Sequence, residues 1–273
     1  MKYLEAVSVC VNYGDLLKLS IPFNRHLFDK WVIVTSPDDK ETQDLCKYYK
    51  IECVVTNKFY ENGDSFNKGK AINEGLKKLK RTDWILNLDS DIILPANFRQ
   101  ICKEEQLQKD AIYGIDRVDV IGDKKIFELL TTKHSQIMRW TYLNMNLNTQ
   151  YHPTFRLHNL NRGYNVIGFF QLWHSSYLKD KQELFKPSEW YPIEHRDAAR
   201  TDVAFQQKWD LNKRLFYPGI IGYHLMTENL GKSANWNGRQ TRRLGQKEKG
   251  NYSFVYEPEY TEDIYQFINS TSY

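Results

Sequence analysis

The sequence predicts an α/β fold, a mostly parallel sheet flanked by helices, with a more irregular C-terminal half. Three observations carry that prediction. Short apolar runs of strand length recur through the first third of the chain, and the stretches between them show helical periodicity or turn chemistry. After the middle of the chain that alternation gives way to aromatic-rich, weakly periodic sequence. Strands alternating with helices of about 10–15 residues make βαβ units, and hence parallel pairing.

Residues 4–11 form the first apolar run, which ends at the turn signal Asn12-Tyr13-Gly14-Asp15. The second, 31–35, is closed by Ser36-Pro37-Asp38-Asp39. A helix is predicted over 40–49 and a third strand over 52–56. Asp64 or Ser65 can cap a following helix, on which Ile72, Leu76 and Leu79 share one face. Residues 84–88 are a fourth strand, apolar except for Asn87.

Beyond Pro95 the spacing predicts a strand over 111–117, a hairpin over 118–130 turning at Gly122-Asp123, and a helix over 135–145. Residues 151–200 are loop-heavy. A short helix is expected over 202–209, strands over 215–217 and 219–225, and a polar, glycine-spaced loop over 230–249. The whole chain, 1–273, reads as one domain whose two halves meet near residue 115.

Composition bounds the partners. The net charge of +4 is too small to require a nucleic acid, but its distribution is uneven. Residues 66–81 hold six basic side chains against Glu74, and 232–249 hold six against Glu248, a net +5 in each. Such stretches can hold phosphates or form solvated faces. The four cysteines, Cys10, Cys46, Cys53 and Cys102, form no C-x-x-C pair and are expected to be reduced thiols. Glu5 stands where the apolar core of a signal peptide would begin, and no apolar run approaches the ~20 residues that span a bilayer. A cytoplasmic protein without a transmembrane segment is expected.

In open parallel sheets, ligands sit at the carboxyl ends of the strands. Tyr13, Asp38, Asp39, Asp89 and Asp91 all fall at such predicted ends. Asp89 and Asp91 flank one serine, and two carboxylates that close repel unless a cation, protons or donors offset them. Hard oxygen ligands suit Mg²⁺ or Mn²⁺, commonly shared with substrate phosphates.

The segment Phe66-Asn67-Lys68-Gly69-Lys70-Ala71-Ile72-Asn73-Glu74-Gly75, followed by Trp84-Ile85-Leu86-Asn87-Leu88-Asp89-Ser90-Asp91, resembles the first half of the GT-A glycosyltransferases. In that family a K-G-x-A-x-N-x-G helix precedes a D-x-D strand. The likeness covers residues 4–100 and is patchy beyond. It implies a nucleotide-sugar donor, UDP-linked by expectation, and transfer to a hydroxyl acceptor. The first half, 1–115, would then bind the donor and the second, 116–273, the acceptor.

Residue by residue, the resemblance implies that Asn12, Tyr13 and Asp38 or Asp39 contact the nucleoside and that Lys68 approaches the donor. It implies that Asp89 and Asp91 meet ribose and metal, and that His224 completes a site for Mn²⁺ or Mg²⁺. Asp202 is the candidate base of an inverting transfer, although a helix N-cap is an equally simple use for it. Arg239, Arg242 and Arg243, with Lys232, are candidates for a basic lid over the diphosphate, and Trp236 for packing against sugar or base. Gln171 and Trp173 are candidate acceptor contacts, with buried sheet as the simpler alternative.

The acceptor is left open between a glycan and a hydroxymethylated base in DNA. The Lys-, Asn- and Tyr-rich composition resembles phage-encoded DNA-modifying sugar transferases, for which the host cytoplasm would be the setting. A nucleotidyltransferase of related fold, or a non-catalytic binder of nucleotide-sugar or polyanion, are the competing readings. A dehalogenase-type phosphatase fits poorly, because its D-x-D follows the first strand rather than the fourth.

Overall fold

The structure is a computed structural model, described over residues 1–131, 158–159, 163–180, 189–228 and 235–246. Strand β1 (Leu4–Val9) runs into helix α1 (Gly14–Asn24), followed by β2 (Lys30–Thr35), α2 (Lys40–Tyr49) and β3 (Glu52–Val55). Helix α3 (Lys68–Leu76), β4 (Trp84–Leu88), β5 (Ile92–Ile93) and α4 (Phe98–Glu104) come next. The later chain supplies β6 (Ile112–Ile121), α5 (Asp123–Thr131), a small hairpin of β7 (His158–Asn159) with β8 (Gly163–Tyr164), then β9 (Phe170–His174) and β10 (Arg214–Met226). Two short α-helices, Ser175–Lys179 and Thr201–Gln206, and three 3-10 turns, Arg25–Leu27, Glu61–Gly63 and Leu211–Lys213, complete the described elements.

Eight strands form one sheet in the order β3-β2-β1-β4-β9-β6-β10-β5. The first four are mutually parallel, and β6 is parallel to β10. Strand β9 is antiparallel to both its neighbours, and β5 is antiparallel to β10. The expected α/β class with a mostly parallel sheet is what the chain adopts.

Helices cover both faces, so the central strands have no polar side. On β1, Leu4 and Ala6 face a core shared with Leu17 and Ile21 of α1 and Cys46 of α2, while Val7 and Val9 face Ala71, Ile72 and Leu76 of α3. This two-sided burial explains why β1, β2 and β4 read as continuous apolar runs rather than as alternation. Gly75 is what lets α3 lie this close, because a Cβ there would fall 2.5 Å from Val7 and 2.7 Å from Val34.

Four local expectations are corrected. The turn signal at Asn12-Tyr13-Gly14-Asp15 leads directly into α1, which the periodicity did not reveal. Leu16, Leu17, Lys18, Leu19, Ser20 and Ile21 are all buried, so the helix has no solvent face to create a pattern, and Pro22 lies inside it. The cap of α3 is Asn67, whose side chain accepts from Lys70 N, while Asp64 instead pairs with Lys70 Nζ at 2.7 Å. The predicted hairpin over 118–130 is a strand continuing to Ile121 and then α5. Gly122 does turn the chain, at φ +88, but Ile126 and Leu130 beyond it are buried at helical spacing. Finally, the two late strands are one, β10, with a register shift between Phe216 and Ile221. The helix expected over 135–145 lies outside the described residues.

All four cysteines are free thiols. Among the described residues no helix is long and apolar enough to cross a membrane.

Candidate functional site

The loop after β4 is held from three sides by main-chain and buried side-chain bonds. Ser20 Oγ of α1 donates to Ser90 O at 2.5 Å, and Asn24 both donates to Ile92 O at 2.6 Å and accepts from Leu94 N at 3.0 Å. Asp89 N donates to Phe169 O and Leu225 N donates to Asp91 O. Asp89 and Asp91 therefore project from a braced backbone, which is what a preorganised ionic site requires.

The two carboxylates have different partners. Asp89 Oδ1 meets Lys68 Nζ, from the first turn of α3, at 2.5 Å. Asp91 Oδ2 lies 3.5 Å from His224 Nε2. Sheet register explains the second contact. His224 on β10 stands opposite Ile92 of antiparallel β5, one residue beyond Asp91, and opposite Asp119 of parallel β6. Its other ring nitrogen, Nδ1, lies 2.8 Å from Asp119 Oδ1, to which Arg117 Nε also approaches at 3.3 Å.

Electrostatics tie these groups together. Burial raises the cost of the Asp91 charge, but His224, with Arg117 behind it, outweighs burial and holds the carboxyl below its ordinary range. For His224, burial and Arg117 oppose protonation, and the Asp91 and Asp119 carboxylates overcome them, so its pKa is raised. Burial likewise works against the Lys68 ammonium, and Asp89, Asp202 and Asp91 more than restore it. Tyr13 is pushed up by burial and by the negative charges of Asp91 and Asp89, so its ring belongs to the same neighbourhood.

Asp202 sits in the first turn of the helix Thr201–Gln206, whose N-cap is Arg200, so the capping alternative for Asp202 is corrected. Its Oδ2 accepts from Gly168 N at 2.6 Å and its Oδ1 from Val203 N at 2.8 Å. Gly168 is required there, because a Cβ would lie 2.9 Å from Asp202 Cβ. Burial raises the Asp202 pKa against the lowering effect of Lys68. Gly69 performs a similar service for α3: a Cβ on it would fall 1.9 Å from Pro192 O. The elements bearing Lys68 and Asp202 are thereby packed tightly around one corner.

Other predicted residues go elsewhere. The buried Asp39 caps α2 and is bonded to Thr35, Thr42 and Asn12 N, so its carboxylate is committed to the fold, whereas Asp38 is exposed. Asn12 takes a left-handed φ of 61, and its carbonyl accepts from Arg239. Arg239 is buried, pairs with Asp15 and lies over the Tyr13 ring at 4.6 Å. Arg242 pairs with Asp123 at 2.7 Å and Arg243 with Glu41 at 2.6 Å. The expected lid arginines thus hold the 235–246 segment to α1, α2 and α5, because carboxylates on those helices meet them first. Trp236 is 42% exposed, and Lys232 lies outside the described residues.

Gln171 and Trp173 belong to the buried sheet. Gln171 bonds Val166 O, Asp202 O and the Tyr191 hydroxyl, and Trp173 packs against Phe205. The first basic segment is also largely spoken for: Lys68, Lys70 and Lys77 each pair with an acid, and Lys80 lies over the Tyr3 ring.

The residues fit a divalent cation in part. Asp91 Oδ1 is buried with no hydrogen-bond partner among the described residues. Asp91 and His224 together supply a carboxylate oxygen and an imidazole, a donor pair suited to Mn²⁺. Among the described residues, however, no three His, Cys, Asp or Glu side chains are grouped so as to hold a metal ion by themselves. The expected trio of Asp89, Asp91 and His224 is divided, because Asp89 is drawn to Lys68. Sites that complete their coordination with substrate phosphates need only such a partial set.

Sequence reasoning missed Asp119, Arg117, Ser20 and Asn24. The available signal was Asp116-Arg117-Val118-Asp119, three charged residues in what the flanking apolar residues mark as a strand. Charge on a buried strand needs a partner.

No protein-family model matches the chain, and no curated protein matches it in sequence. Among solved structures it is similar to glucosyl-3-phosphoglycerate synthase from Mycobacterium tuberculosis in complex with UDP, with a TM-score of 0.47 and 10% identity over 84% of this chain and 73% of that chain. The same synthase with Mn²⁺, UDP and glucosyl-3-phosphoglycerate gives a TM-score of 0.47 and 10% identity over 84% and 72%. Mannosyl-3-phosphoglycerate synthase from Rubrobacter xylanophilus gives 0.43 and 14% identity over 84% and 67%. The roles of individual residues rest on the geometry of this chain.

Proposed function

We propose that this protein is a glycosyltransferase that moves a sugar from a nucleoside-diphosphate donor, UDP-linked, to a hydroxyl acceptor with a divalent cation bound. One observation carries the reading. Asp91 with His224, Lys68 with Asp89, and Asp202 come from four separate segments and act on one another at the carboxyl end of β4. That is the place where open α/β sheets bind ligands.

Asp91 and His224 would hold the cation, Mn²⁺ or Mg²⁺, together with diphosphate oxygens of the donor. Bound there, the cation would neutralise charge that grows on the departing diphosphate. Lys68, at the first turn of α3, adds a positive charge on the side of Asp89. Tyr13, the N-cap of α1, stands near Asp89 and Asp91 on what would be the nucleoside side, with one face of its ring covered by Arg239.

Asp202 is the base. Its carboxylate takes the proton of the acceptor hydroxyl as the acceptor oxygen bonds to the anomeric carbon, while the bond from that carbon to the diphosphate oxygen breaks. The main-chain bonds from Gly168 and Val203 fix its orientation, and its raised pKa makes it a stronger proton acceptor than an exposed carboxylate.

For the acceptor, a glycan hydroxyl is favoured over a base in DNA. The pairing of Lys68, Lys70, Lys77, Arg239, Arg242 and Arg243 with acids leaves these six side chains ill suited to a polyanion. Binding to duplex DNA at low salt would reverse that preference.

The test is a thermal-shift screen of UDP-, GDP- and TDP-linked sugars with Mn²⁺, since a ligand of the native state raises its apparent stability. A UDP-sugar should raise the melting temperature in wild type and fail to do so in Asp91→Ala. No response to any nucleotide-sugar with Mn²⁺ would sink the proposal.

A further inference from the structure

The cation reading leaves Asp119 unused, although it is placed with unusual economy. It stands in register with His224 on the neighbouring parallel strand, and His224 in turn stands opposite Ile92, beside Asp91. The imidazole is therefore strung between a carboxylate on β6 and one in the turn just before β5, with Nδ1 2.8 Å from Asp119 Oδ1 and Nε2 3.5 Å from Asp91 Oδ2.

We infer that Asp119 is a positioning residue for the cation site, fixing the His224 ring so that the Nε2 lone pair is presented beside Asp91. A neutral imidazole carries one N–H, and the nitrogen that carries it cannot ligate a metal. With Nδ1–H donated to Asp119, the proton is kept on the far side of the ring and Nε2 is left as the donor atom. A carboxylate behind a metal-binding histidine also makes the ring a stronger ligand. Arg117, whose Nε approaches the same Asp119 oxygen at 3.3 Å, keeps Asp119 itself from turning away. Among the described residues the buried Asp91 Oδ1 has no hydrogen-bond partner, which leaves that oxygen free to ligate.

A simpler role for Asp119 is to neutralise Arg117, and the two roles separate in a binding experiment. The inference rests on the cation-dependent transfer proposed above. Mn²⁺ is titrated into the full chain with UDP present, and free Mn²⁺ is followed by its paramagnetic resonance signal. Asp119→Ala should weaken Mn²⁺ binding by about 10–100-fold. In a His224→Ala background the same substitution should cause no further loss, because Asp119 acts only through that ring. Asp119→Asn, of the same size, is the second variant should the alanine variant fail to fold. Its amide donating to Nδ1 would leave the proton on Nε2, so binding should weaken here too.

Unchanged affinity in the single variants, or an equal loss with and without His224, would overturn the positioning role while leaving the cation reading intact. Wild-type protein that binds no Mn²⁺ with UDP would overturn both. His224→Ala binding as tightly as wild type would remove His224 as a ligand, and Asp119 with it.

Discussion

Arg239 and Asp15 lie 224 residues apart in sequence and form a two-pronged ion pair, one guanidinium nitrogen on each carboxylate oxygen. The arginine side chain is fully buried and also donates to Asn12 O, Arg242 O and Thr241 Oγ1, while its face covers the Tyr13 ring. Burial would raise the Asp15 pKa, and Arg239 reverses that effect and holds it low. Removing one member of such a pair strands the other charge in a dry site. Arg239→Ala should therefore cost about 3–5 kcal/mol of stability, measured by urea unfolding. Arg239→Lys, with a charge but no planar fork, should fall between. A variant as stable as wild type that only loses donor affinity would restore the lid role instead.

Lys68 and Asp202 make a prediction about pH. A base works deprotonated, so transfer should fall as pH drops through the Asp202 pKa. Burial holds that pKa above the ordinary carboxyl range, and the Lys68 charge partly offsets burial. Lys68→Met removes the offset, so the acid limb of kcat/KM should move to higher pH. An unmoved limb, or one displaced to lower pH, would detach Asp202 from the chemistry. Asp202→Asn should keep donor binding and lose about 10²–10⁴-fold in turnover.

Gly69 tests the packing that brings α3 to the site. A Cβ would meet Pro192 O at 1.9 Å and Thr201 at 3.0 Å, and backbone oxygen cannot rotate away as a flexible side chain can. Gly69→Ala should destabilise by about 1–3 kcal/mol through overpacking and reduce donor binding by displacing Lys68. Gly122→Ala, with open space around the Cβ, should show only the milder strain of a positive φ. Equal melting temperatures for wild type and Gly69→Ala would contradict the close approach.

His174 sets a stability limit on the acid side. Its Nδ1 accepts from Ser176 N, capping the helix Ser175–Lys179, while Nε2 lies 2.9 Å from Asp83. Burial lowers its pKa despite Asp83. A depressed histidine contributes stability in full above its unfolded value of ~6.5, and that contribution is lost as pH falls through the lower folded value. The urea midpoint should decline as pH falls below about 6.5, and His174→Gln should flatten that part of the decline. An identical slope in the variant would assign the acid sensitivity to other groups.

The first half of the fold was legible because its signals are local. The apolar runs of β1, β2 and β4 and the Asn67–Leu76 segment stand out in any window of ten or so residues, and the D-x-D after β4 follows from them. Helix α1 was not legible, since a helix buried all round leaves no periodic trace. In the later chain, Gly122 marked a turn correctly, but nothing within the segment distinguished a hairpin from the strand-to-helix passage that follows.

What the sequence by itself determined is the layered α/β arrangement of the N-terminal half and the pair of acids at the end of its fourth strand. What only the tertiary structure decided is which charge meets which. Sheet order put His224 of β10 between Asp119 of β6 and Asp91 in the turn before β5, and the folded tail gave Arg239, Arg242 and Arg243 to Asp15, Asp123 and Glu41. The reason is physical: burial patterns come from neighbours a few residues away along the chain, whereas ion pairs are selected by distances of a few ångströms between segments far apart in sequence.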